Sequence, residues 1–237
     1  MRNLLIKVIE EVPQVKPFLS DKARRMLDNE PVPYKTYEFF LSAVEGLVNG
    51  VYSGLVGSDF VYAMDNLITG QLRDAYIRAW VDDGHFGELP EYLQESLDAM
   101  VDEQQKHVVD YWHDIIDARV DGKPIEPLLS RAQMWAQRWK EAYEMARHLI
   151  NVENGGKEMW VIDPEKENCT ICSRLNGIVA YAREWDELNV HPRNAPNPIL
   201  AKERGGCGGW KCGCERKPTD RRRSPNAYDT ILNIVSG

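Results

Sequence analysis

The residues of this chain best suited to chemistry are its five cysteines, and all of them fall between positions 169 and 214. They read C-T-I-C at 169–172 and C-G-G-W-K-C-G-C at 207–214. A CxxC pair lets two thiolates face one ion from a single tight turn. The later cluster offers three more sulfurs among Gly205, Gly206, Gly208, Gly209 and Gly213, where the backbone can turn sharply. Structural zinc takes four ligands and supplies folding free energy to segments too short to bury a core. Cys169, Cys172, Cys207, Cys212 and Cys214 are therefore the candidate ligands of one structural Zn2+ per chain. Cys169 and Cys172 make the first half-site and Cys207 and Cys212 the second, with Cys214 able to replace Cys212. Five cysteines cannot all pair within one chain. The opening stretch MRNLLIKVIEEV also breaks into Glu10 and Glu11 too early for a secretory leader, so disulfides are not expected. His191, ahead of Pro192, reads as a solvated loop residue rather than a ligand.

Other chemistry is not legible. There is no HExxH, P-loop, GxSxG or strand-linked GxGxxG. Glu103 with His107, and Asp110 with His113, sit at helical spacing but lack the further ligands a metal centre needs. Glu184, Asp186 and Glu187 read as solvated loop carboxylates. His191 and Asn194 lack the partner histidines of an H-N-H nuclease. The cysteines stand at metal-ligand spacing, which argues against a free thiolate nucleophile. The reading is of a non-enzyme with no small-molecule substrate.

The elements that must position the cysteines are mostly helices. Short helices are expected over 3–12 and from Ser20 or Asp21 to about Asn29, and another over 34–49 with Tyr37, Phe40, Leu41, Val44 and Val48 on one side. Gly50, Gly54 and Gly57 suggest a hinge at 50–57. Ser58 or Asp59 caps a helix to about Val81, with Phe60, Met64, Leu72, Ala75 and Ala79 recurring at helical steps. A single helix is expected over about 90–119, along the stripe Leu93, Leu97, Met100, Gln104, Val108, Tyr111 and Ile115. After Gly122 and Pro124 a last helix runs over about 127–152, with Leu128, Ala132, Trp135, Trp139, Ala142, Met145 and Leu149 near heptad spacing. The two long helices make a hairpin. Short strands follow at 159–163 and 176–181, separated by the CTIC knuckle and the Asn176-Gly177 turn. From Glu184 to Arg204 the chain has no clear period. The segment 226–235 is open between a short strand and a helix.

The fold class is thus mainly α: a helical scaffold with a long hairpin, plus a small, zinc-stapled, loop-rich C-terminal module with short β strands. The boundaries are a helical segment over 1–57, the scaffold over 58–153, the zinc-knuckle module over 154–217 and a basic tail over 218–237. The net charge of −8 is uneven. Residues 1–165 carry 17 Lys+Arg against 29 Asp+Glu, and residues 166–237 carry 12 against 8. The acidic part repels nucleic acid. Arg221, Arg222 and Arg223 are the candidates for a DNA contact. No stretch reaches the ~18 apolar residues that span a bilayer, so no membrane partner is expected.

The helix Leu128–Ala136, the tryptophan strand at Trp160, the knuckle Cys169, Cys172, Leu175 and Gly177, the proline-containing loop and the closing Cys212 and Cys214 together resemble the minor head proteins of tailed bacteriophages, the Mu F-like head morphogenesis family. The resemblance is strongest over about 125–217. Many members close on His-Pro-x-Cys-Arg-Cys; here Gly209 stands at the histidine and Gly213 at the arginine. The Cys207-Gly-Gly form resembles a variant in which an upstream cysteine takes the histidine's role. The resemblance implies a structural protein of the virion, assembled in the host cytoplasm, with phage portal or major capsid protein as partner and a role in head assembly, DNA packaging or delivery. It brings no catalytic residues. The alternative is a zinc-ribbon nucleic-acid-binding protein, which Trp210, Lys211 and Arg216 suit and the acidic helical part does not.

Overall fold

The computed structural model describes residues 37–165, 168–192 and 214–236. The expected helices over 3–12 and to Asn29, together with Cys207 and Cys212, lie outside the described residues. The chain is mainly helical and divides into two compact units, the first ending at Arg147 and the second beginning at His148.

In the first unit α1 (Tyr37–Tyr52) is followed by α2 (Asp59–Asp82), α3 (Glu91–Gln105), α4 (Val108–Val120) and α5 (Glu126–Glu153), whose last turn belongs to the second unit. Helix α1 buries Phe40, Ala43, Val44, Leu47, Val48 and Val51 along one stripe, and its buried surface extends beyond that stripe to Ser42 and Gly46. It runs through Gly50 rather than hinging there. The turn after it folds back, with the N–H groups of Leu55 and Val56 both donating to the Gly50 carbonyl (2.9 and 3.1 Å). A Cβ on Gly50 would meet Val56 Cγ2 at 2.6 Å, so the glycine is required by close approach and not by flexibility. Helix α2 follows its expected stripe. Ser58 occupies its N-cap position without a side-chain hydrogen bond, so neither capping expectation is realised by a side chain.

The helix expected over 90–119 is two helices. Around Lys106 and His107 the bonding tightens, with the His107 N–H donating to the Gln104 carbonyl at 3.2 Å before α4 begins. The segment has no Gly or Pro. It is a polar run, D-E-Q-Q-K-H, with little apolar surface to hold it straight.

The hairpin expected between two long helices is formed by α4 and α5 across the turn at 121–125. The Tyr111 hydroxyl donates to the Leu128 carbonyl at 2.7 Å, its ring stacks on Trp135, and Asp114 pairs with Arg131. The ring pair Tyr111–Trp135 and the ion pair Asp114–Arg131 run in opposite directions along the two helices. Helix α2 is tied in by buried Gln71, whose Nε2 donates to the carbonyls of Trp135 and Ala136 (3.1 and 2.8 Å). The seam of α5 departs from the expected heptad. Ala136, Ala146 and Ile150 are buried beside the expected Leu128, Ala132, Trp135 and Ala142 while Met145 is exposed, because a straight helix drifts by ~20° per heptad against a strict seven-residue repeat.

The second unit is built on a three-stranded antiparallel sheet in the order β2-β1-β3. Strand β1 (Lys157–Val161) is central, followed by α6 (Thr170–Leu175), β2 (Val179–Tyr181), α7 (Ala182–Glu187), β3 (Glu215–Pro218) and α8 (Ala227–Ser236). Asn176 (φ −54°, ψ 126°) and Gly177 (φ +81°) make a type II turn that returns the chain beside β1. Trp160, Leu175, Ala180, Trp185, Val190, Ala227, Ile231 and Ile234 share one core with Cys172 and Cys214. Residues 184–187, expected without regular structure, lie in α7. Of the expected basic tail over 218–237, residues 227–236 are a helix with Ala227, Ile231 and Ile234 in that core.

Candidate functional site

Cys169 is the N-cap of α6, and its Sγ accepts a hydrogen bond from the Cys172 N–H at 3.4 Å. This is the local geometry a metal knuckle uses, in which backbone donors face the sulfur that will carry charge. Cys172 is buried and Cys169 half-buried in the same core as Cys214. The Cys214 thiol lies 3.7 Å from Oδ1 of Asn168, the residue before the knuckle. Three of the five expected ligands therefore come together. Among the described residues, however, no group of three or more His, Cys, Asp and Glu side chains is arranged to hold a metal ion. In this core the Trp160 indole N–H is buried and has no hydrogen-bond partner among the described residues. An orphaned donor of this kind suits a thiolate sulfur, and soft sulfur donors suit zinc.

Beside this core lies a charged cluster that the sequence did not announce. It is assembled from four elements: His148 near the end of α5, Glu158 on β1, Asp186 on α7 and Arg216 on β3. His148 Nδ1 lies 2.9 Å from Glu158 Oε1, and His148 Nε2 lies 2.8 Å from Asp186 Oδ2. Arg216 Nη1 donates to Asp186 Oδ1 at 3.1 Å, and its Nε stands 3.4 Å from Glu158 Oε2. That last contact is an ion pair without hydrogen-bond alignment, and Glu158 Oε2 accepts no hydrogen bond from the described residues. Glu158 is 1% exposed, and the side chains of His148 and Arg216 are 8% and 6% exposed. Trp185, fully buried, donates its Nε1–H to the Glu158 carbonyl at 3.4 Å.

Burial opposes the charge on His148, but its hydrogen bonds to Asp186 and Glu158 prevail over burial and over Arg216, so its pKa stands above the ordinary imidazole value. Burial likewise acts to raise the pKa of Asp186, yet His148 and Arg216 hold it below the usual carboxylate value. His191 is not solvated as expected. It lies 3.9 Å from Asp186 Oδ1, and burial, followed by the charge of Arg216, pushes its pKa down to about 4.

The carboxylates expected as solvated loop residues are engaged. Asp186 belongs to the cluster. Glu184 reaches back to the Tyr181 N–H at 2.8 Å and pairs with Arg223, and its pKa is lowered chiefly by that guanidinium. Of the three candidate DNA-contacting arginines, Arg223 is thus held by Glu184, while Arg221 and Arg222 are exposed. No helix among the described residues is long and apolar enough to cross a membrane.

A signal for the cluster does exist within β1. Glu158 shares the inward face with Trp160 in the pattern K-E-M-W-V, and a charge on an inward strand position requires a partner. The partners themselves have no spacing signature. No protein-family model, curated protein or solved structure matches this chain.

Proposed function

We propose that this chain is a structural protein of a tailed-phage head, of the minor head kind, whose second unit is stapled by one zinc ion and docks on portal or major capsid protein during head assembly. The observation that most supports it is the gathering of the motif segments: the tryptophan strand, the knuckle and Cys214 share one core although the chain between them is long. Cys169 and Cys172 would hold the ion with two sulfurs from Cys207, Cys212 and Cys214. Bound there, zinc supplies no reaction; it fixes a loop-rich surface at little cost in chain length. This leaves a rigid knob suited to recognition rather than turnover.

The test has two parts. Metal analysis of the purified chain should give one zinc, and Cys169→Ser should lose it. That variant should become protease-sensitive after position 148, while the far-UV helical signal of the first unit persists. A variant with unchanged metal content and unchanged protease resistance would show that the staple does not exist. The assembly role is tested by co-expression with the portal and capsid proteins encoded in the same genome. The chain should sediment with head-sized particles; a chain that remains at the top of the gradient rules the role out.

A further inference from the structure

We infer that His148 is a pH-operated clasp: as an imidazolium it joins Glu158 of β1 to Asp186 of α7, and on losing its proton it must release one of them, loosening the second unit on the alkaline side. The inference rests on geometry. Both ring nitrogens lie within hydrogen-bond distance of a carboxylate oxygen, at 2.9 and 2.8 Å. An imidazolium donates from both nitrogens, whereas a neutral imidazole has one N–H and one lone pair. The neutral ring would therefore set a lone pair against a carboxylate.

The surroundings decide which contact yields. From β1, Glu158 is buried, with Arg216 beside its second oxygen and the Asn151 Nδ2 at 3.4 Å from its first. From α7, the Asp186 side chain is 35% exposed and can turn towards water. From β3, Arg216 repels the ring's charge but neutralises both carboxylates. His191, following α7, stands edge-on to His148 with ring centroids 6.3 Å apart. Its own pKa is held near 4, so it cannot carry the missing charge at neutral pH. Among the described residues the cluster holds two anions and two cations only while His148 is protonated. The yielding contact is the one to Asp186, which leaves α7 held by buried Trp185 and by Arg216 of β3 and so weakens the second unit without detaching the helix.

The sign follows from linkage. The folded pKa of His148 is raised, so its contribution is complete below the unfolded value of ~6.5 and disappears as the pH rises through the folded value. A thiolate-bound zinc has the opposite dependence, because its ligands must shed protons and bind more tightly as the pH rises. Alkaline loosening therefore separates the clasp from the staple.

The experiment is a pH titration of the full chain. NMR of the His148 ring should show both nitrogens protonated on the acid side of the transition and a titration above the ordinary value of ~6.5. Over the same range the melting temperature of the second unit should fall by ~5 °C or more, and His148→Gln should remove that fall. A ring that titrates at or below ~6.5 overturns the proposal on the unmodified protein, whether or not the variant folds. A second-unit melting temperature whose pH dependence is the same in the parent protein and in His148→Gln also overturns it.

Discussion

At position 158 a glutamate occupies a strand site whose alternation with Trp160 points it into the core. A carboxylate there is tolerated because His148 and Arg216 approach it from two other elements. Removing one partner of such a network leaves an uncompensated charge, whereas the intact network adds little over an apolar core. Asp186 is the informative position because its side chain is only partly screened from water. Asp186→Asn should cost about 1–2 kcal/mol at neutral pH, below the full buried-pair penalty because of that exposure. The folded pKa of Asp186 is depressed, so its contribution is present above ~3.9 and is lost as the pH falls through the folded value. Urea unfolding of both proteins should accordingly show a gap that is full near neutrality and closes in acid. A gap independent of pH would mean that the asparagine acts by packing rather than by charge. The turn joining Cys169 to Cys172 was legible because a CxxC spacing sets it locally, with the Cys172 N–H facing the Cys169 sulfur. The four charged residues were not, since their positions 148, 158, 186 and 216 share no period and meet only through the sheet.

Among the elements, those with a strong helical period and a clear stop were readable: α2, α5 and the hairpin turn after Gly122. The break between α3 and α4 was not, because the stripe Leu97, Met100, Gln104, Val108 stays in phase through it and no breaker marks it. Strand β3 was hidden for a different reason. Its sequence E-R-K-P has no β-branched or aromatic residue, and pairing with β1 alone makes it a strand, with Arg216 opposite Trp160. Helix α1 was read as ending in a hinge, yet its glycine is a contact site. Gly50→Ala should destabilise the chain by about 1–3 kcal/mol through overpacking against Val56. Adding Val56→Ala should restore part of that loss, giving a coupling of about 1 kcal/mol in a double-mutant cycle of denaturation midpoints. Strict additivity would place the cost in helix propensity instead.

For the whole molecule, the division at Arg147 and His148 gives two cores of different character. The first is held by helix packing, with Phe60, Tyr111 and Trp135 in ring contact. The second is small and depends on α8 for Ala227, Ile231 and Ile234. Burial of each larger apolar side chain stabilises by about 1.5–3 kcal/mol, a large share of what a unit of this size can hold in reserve. A chain ending at residue 226 should therefore be cut rapidly by protease after position 148 and remain resistant before it. Equal resistance in the truncated and full chains would show that the helix contributes nothing to that core.

The sheet order β2-β1-β3 has a consequence for synthesis. The central strand, made early in the second unit, pairs on one side with β2 nearby and on the other with a strand more than fifty residues further along. While the ribosome is still translating the cysteine-rich segment, β1 carries one open edge, and Glu158 lies there without its arginine. In the first unit the neighbours α2 and α3 can settle as they emerge, whereas Gln71 waits for the carbonyls of Trp135 and Ala136 more than sixty residues later. The second unit cannot close until β3 and α8 have cleared the exit tunnel, so its half-built sheet leaves an unpaired strand edge for a chaperone to cover.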